Sequence, residues 1–113
     1  MYLKIHHDDS IFPWFEELDL PEDVTEWLHA VHAAIGCSTI QIVPTVVRGI
    51  VLVIDDDGKL RDGWERRFNK IATILYGNYA DGIVGDAILA RVQGEDLVSL
   101  TSADVDFLRR HFG

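Results

Sequence analysis

Ile50-Val51-Leu52-Val53-Ile54-Asp55-Asp56-Asp57-Gly58-Lys59-Leu60 is the stretch whose reading decides the fold. Five consecutive apolar residues, too few for a buried helix and rich in β-branched side chains, predict a strand covered on both faces. Asp57-Gly58 predicts a tight hairpin turn, with the chain returning through Lys59 and Leu60. Just upstream, Ser38 to Val47 partly alternates and is also β-branched, which predicts a second strand. Pro44 confines that strand to an edge or a bulge, because proline cannot donate to a ladder.

Further out, the period changes from strand to helix. Before the strands, Val24, Trp27, Leu28, Val31, Ala34 and Ile35 recur at helical spacing, with Pro21 opening the helix and Gly36 closing it. Glu22, Asp23 and Glu26 put negative charge where the helix dipole favours it. After the strands, Trp64, Phe68, Ile71, Ala72 and Leu75 predict a helix over Gly63 to Tyr76 stopped by Gly77; Asn69 capping a shorter helix from Lys70 is the alternative. Ile83-Val84 and Ala87 to Val92 read as strands around Gly85. Gly94-Glu95-Asp96 reads as a turn into Leu97 to Leu100. Thr101 with Asp104 forms a capping-box start for a last helix with Val105, Leu108 and Phe112 on its stripe. Tyr2, Leu3 and Ile5 suggest a short opening strand, followed by an irregular acidic segment. The expected fold is α+β: a small mixed or antiparallel sheet packed by about three helices.

The 113 residues fit one domain, and 48% hydrophobic content is enough for a core without metal or disulfide; Cys37 stands alone as a small hydrophobe. The chain divides by charge into an acidic segment, residues 1–20, and a single α+β domain, residues 21–113. Ten basic against nineteen acidic residues give a net charge of −9, which argues against direct binding to nucleic acid or to an anionic membrane. Eight acids in residues 1–26 against Lys4 alone concentrate −7 of that charge there. The start of the chain turns polar at His6-His7-Asp8-Asp9, so a secretory signal is not expected. Gly36, Pro44 and Gly49 interrupt the most apolar stretch before it reaches spanning length. No membrane association and a cytoplasmic location are the expectations.

Gly36, the Asp57-Gly58-Lys59-Leu60 turn, Asn69 with Ala72-Thr73, Ile83-Val84-Gly85 and Glu95 to Thr101 together resemble a domain-of-unknown-function family of small phage- and plasmid-borne proteins from Gram-positive bacteria. The likeness runs from Val24 to Phe112. It departs from the family pattern at Cys37, where a second glycine is expected, and at Phe68, where a proline is expected shortly before Asn69. The resemblance implies a mobile-element origin and brings no catalytic residues with it.

The chemistry-bearing clusters are weak. A calcium loop with Gly58 at its sixth position would need carboxylates at Val53 and Trp64. Glu26, His29 and His32 are spaced three apart and could share a metal, but the row drifts around the helix, so exposed titrating histidines are the default and no metal is expected. His6 and His7, as strand neighbours, should point to opposite faces. Cys37, Ser99 and Ser102 lack nucleophile signatures, and Gly82 to Gly85 lacks the third glycine and the lysine of phosphate-binding loops. Arg61, Trp64, Arg66, Arg67, Phe68 and Lys70 interleave cations with aromatics, although the helix stripe claims both rings. No cofactor is implied.

The expected function is therefore a non-enzymatic acidic interaction protein of a mobile element, inhibiting a host nucleic-acid-binding or defence protein. A basic protein is the expected partner, docking on Trp14, Phe15, Glu16, Glu17 and Asp19, with carboxylates steering the encounter and an aromatic anchoring it. The alternative is a small-ligand or nucleotide-binding module lined by Asn69, Thr73, Asp81 and Gly85.

Overall fold

The computed structural model describes residues 1–8, 15–60, 63–78 and 81–112, with Trp64 described in its backbone alone. The elements are β1 (Tyr2–Ile5), β2 (Phe15–Leu18), α1 (Val24–Ile35), β3 (Ile40–Pro44), β4 (Ile50–Asp55), α2 (Lys70–Tyr76), β5 (Ala87–Gln93), β6 (Asp96–Val98) and α3 (Ser102–Phe112). Short 3-10 turns occupy Gly58–Leu60 and Trp64–Arg67. The strands form one six-stranded sheet, order β2-β1-β5-β4-β3, with β6 also paired to β5. Every strand pairing described is antiparallel, so the fold is α+β.

The two-residue period of the strands divides the core into two layers. Leu3, Ile5, Leu52 and Leu89 face Leu75 of α2 and Leu108 of α3. Tyr2, Val53, Ile88 and Ala90 face Val31 and Ile35 of α1. β4 is thus covered on both sides, as its apolar run requires. β3 closes one end of the sheet, where Pro44 costs no ladder partner beyond β4.

The expected hairpin at Asp57-Gly58 does not form. The Asp55 carboxylate accepts a hydrogen bond from the Asp57 amide at 2.9 Å, and the chain enters a 3-10 turn instead of a return strand. β4 finds its partners in β3 and β5. Ile83-Val84 likewise gives only an isolated bridge, Val84 to Phe68. The long helix expected from Gly63 is broken at Phe68, which is 36% exposed rather than packed on a stripe. Asn69 caps the shorter α2, accepting from the Ala72 amide at 3.0 Å.

Within the acidic segment, β1 and β2 supply two strands of the sheet. α1 begins at Val24 rather than Pro21, capped by Asp23, whose Oδ1 accepts from the Glu26 amide at 3.0 Å. Gly36 ends it in the left-handed conformation. Cys37 is half-buried against the α1 layer.

Gly77 closes α2 at φ +81°, its amide donating to the Thr73 carbonyl at 3.0 Å. A Cβ there would lie 2.7 Å from Val46 Cγ1. Gly77→Ala is expected to lower the unfolding free energy by about 1 kcal/mol, the scale of the left-handed penalty for an L-residue. Denaturant titration measures it, and unchanged stability would mean the helix end can adopt another conformation at no cost.

Candidate functional site

Beyond Leu18 the chain leaves the sheet through Asp19-Leu20 and turns at Pro21-Glu22 into α1. On the other side of this connection stands the β5–β6 hairpin, whose turn holds Gly94 at φ +63°. Between them lies a groove of about 700 Å³. Its rim carries the carboxylates of Asp19 and Glu22 on one wall and of Glu95 and Asp96 on the other, all exposed. Among the described residues its lining includes no lysine, arginine or histidine. Tyr2, Leu20, Trp27 and Leu97 also line it, and these four pack with the α1 side of the core. Val24, expected on the buried stripe of α1, is 79% exposed here and forms part of the wall.

Apolar floor and acidic rim thus meet in one groove. Like-signed charges on both walls raise the local potential, and the low-dielectric floor focuses it. The effect is shortened by salt, with a screening length of about 8 Å at physiological ionic strength.

Of the residues expected to dock a partner, Asp19 lies at this groove. Trp14 lies outside the described residues. Phe15 is a correction: at 7% exposure it belongs to the core layer under α2 and α3 and cannot anchor a partner from there. Strand alternation is the cause, because Phe15 points inward when β2 pairs with β1 in the register Ile5 to Phe15. Glu17 reaches Arg109 of α3 at 3.4 Å, and Glu16 Oε1 lies in hydrogen-bond contact with His6 Nε2 at 2.8 Å.

The residues expected to line a small-ligand pocket divide differently. Asn69 is wholly buried, and its Nδ2 donates to the carbonyls of Ile5 at 3.1 Å and Gly85 at 2.9 Å. Thr73 donates its hydroxyl to the Asn69 carbonyl at 2.7 Å and accepts from the Ile83 amide at 2.8 Å. Asn69, Thr73 and Gly85 are therefore brought together as a hydrogen-bonded hub that ties β1, α2 and the turn before β5. Asp81 is exposed on the rim of a separate cleft of about 330 Å³, paired with Lys59 at 2.5 Å. The cleft's lining also includes Asp55, Asp56 and Tyr76 but neither Asn69 nor Thr73.

One cluster escaped the sequence reading. β1 ends at Ile5, so His6 and His7 no longer obey strand alternation, and both rings approach Asp86, at 3.9 Å and 4.0 Å. The His7 amide donates to the same carboxylate at 3.0 Å, and Lys4 lies 3.6 Å from it. His6, 5% exposed, sits between the Glu16 and Asp86 carboxylates, with Lys4 and His7 also close to Asp86. No signal adjacent in sequence marks it, since Asp86 is remote from β1. Among the described residues no group of three or more histidine, cysteine, aspartate or glutamate side chains is disposed to hold a metal ion. No helix among them is long and apolar enough to cross a membrane. On α1, Glu26 and His29 are exposed and His32 is half-buried.

Comparison with known proteins gives one family. The family model described as a domain of unknown function, DUF3846, matches residues 15–113, from the start of β2 onward. No curated protein and no solved structure matches the chain.

Proposed function

The chain belongs to the DUF3846 family, and from that premise we propose that it is a non-enzymatic acidic interaction protein of a mobile element, one that occupies a basic surface on a host protein that binds nucleic acid or serves in defence. The observation that carries the reading is the groove, which joins four exposed carboxylates to an apolar floor with no lysine, arginine or histidine side chain among the described residues of its lining. A net charge of −9 reinforces it, because the whole molecule then steers toward positive surfaces. Steering sets the encounter rate, and the floor at Trp27 and Leu97 supplies the desolvated contact that holds the complex. The small-ligand alternative is left with the cleft beside Asp81, since Asn69 and Thr73 spend their side-chain hydrogen bonds internally.

The experiment compares the tagged chain with a Glu22→Lys, Glu95→Lys, Asp96→Lys variant in capture from nuclease-treated host lysate, followed by affinity measurement on the purified captured protein. The expected result is a basic partner that the variant binds about tenfold more weakly at physiological salt, equivalent to about 1.4 kcal/mol, and that DNA displaces in competition. Equal binding by parent and variant would overturn the groove as the docking surface. A partner without a basic face would overturn the proposed function.

A further inference from the structure

We infer that the occupant of the groove is an extended segment of the basic partner, added as a further strand along the outer edge of β6. This rests on the reading above and specifies how the partner is held. β5 carries two strands in tandem on one flank: β1 pairs opposite Ala87 to Leu89, and β6 opposite Arg91 to Gln93. The next row outward is filled beside β1 by β2, in register from Tyr2–Leu18 to Ile5–Phe15. Beside β6 the same row holds no strand among the described residues, because the chain turns away after Leu18 toward α1. The groove opens along this gap, with Asp96, Leu97 and Val98 in its lining. The sheet is thus one short strand deficient at the place where the acidic rim stands.

An open edge presents backbone donors and acceptors that an extended chain can satisfy and a helix cannot. β6 is three residues long; Val92 donates to Gly49 on the β4 flank, so Arg91 and Gln93 face β6 and take up Val98 and Asp96, which leaves the N–H and C=O of Leu97 directed outward for a partner residue. The side chains of that segment follow from the walls. An apolar residue seats against Leu97 and Trp27. Lysine or arginine on either side of it reaches Asp19 and Glu22 at one wall and Glu95 and Asp96 at the other. Acidic segments are excluded by the same four carboxylates, which also protects the edge from pairing with a second copy of this acidic chain.

The test uses the full chain and three synthetic decapeptides. The first alternates arginine with isoleucine, the second carries the same side chains with every other backbone amide N-methylated, and the third replaces arginine by glutamate. Titration calorimetry measures affinity, and amide hydrogen exchange is followed at Leu97, whose amide faces the outer edge. The expected result is binding of the first peptide with slowed exchange in β6, at least tenfold weaker binding of the N-methylated peptide, and none of the glutamate peptide. Equal binding of the first two overturns strand addition and leaves the basic-partner reading standing. Equal binding of the glutamate peptide overturns both. Failure of the arginine peptide to bind at millimolar concentration overturns the extended segment, while groove-dependent capture of a folded basic protein would still uphold the function.

Discussion

Replacing Asn69 by alanine is expected to lower the unfolding free energy by about 4 kcal/mol, near the upper end for a polar substitution. Three bonds are lost together. Two are donations to the Ile5 and Gly85 carbonyls, and the third is acceptance from the Ala72 amide in the first turn of α2. The site is 0% exposed, so water does not replace them. Each stranded buried group costs about 1–3 kcal/mol and a lost helix cap about 1 kcal/mol. Asn69→Asp separates the parts, because an aspartate keeps the cap but turns an anion toward two carbonyl oxygens. It is expected to be as damaging at neutral pH and to recover part of the loss on acidification, when the carboxyl gains a proton to donate. Denaturant unfolding of both variants measures this. A loss under about 1 kcal/mol in the alanine variant would contradict the hub and return Asn69 to the list of candidate ligand contacts.

The contrast between Asn69 and Gly58 shows what a sequence makes legible here. The caps made by Asn69, Gly36 and the Thr101 and Asp104 pair bond backbone groups within four residues, so they can be read from spacing alone, whereas the two long-range bonds of Asn69 cannot. A hairpin turn at Asp57-Gly58 requires a positive φ at the glycine. Its φ is not positive. A Cβ there would lie 3.3 Å from the Val84 carbonyl oxygen, a close contact made by a distant stretch of chain. A turn held locally by Asp55 and packed against Val84 stands in place of the expected hairpin.

The same distinction governs the site. Phe15-Glu16-Glu17-Leu18 has no alternation and became a strand only through pairing with β1. The groove draws its walls from residues 19–27 and 95–99, and its floor includes Tyr2. The charge count exposed half of its rim, Asp19 and Glu22, as part of the −7 in the first 26 residues. Glu95 and Asp96 were visible only as a turn, because their approach to the other wall depends on β6 pairing with β5.

Asp104→Asn is expected to cost about 2 kcal/mol at pH 6, a cost that disappears progressively as the pH falls from about 4 to about 2. The Arg91 guanidinium is the main cause. Its Nε and Nη2 donate to the two Asp104 oxygens at 2.7 Å and 2.5 Å, and the Thr101 amide adds a bond at 2.9 Å. Together they hold the carboxyl down to about 2, against an ordinary value of 3.8. A carboxyl whose folded value lies below its unfolded value contributes stability that is fully present above the unfolded value. That contribution is lost as the pH falls through the folded one. Between pH 5 and 7 this group adds no pH dependence, so parent and variant curves should run parallel there and converge between pH 4 and 2. The pair joins the middle of β5 to the first turn of α3, where Thr101 Oγ1 accepts from the Asp104 amide at 3.1 Å. Losing it therefore loosens the helix that packs Val105 and Leu108 onto the sheet. Urea midpoints taken across pH 2–7 test the claim. A difference between the two proteins that stays constant down to pH 2 would show that Asp104 stabilises through its cap geometry and not through its charge.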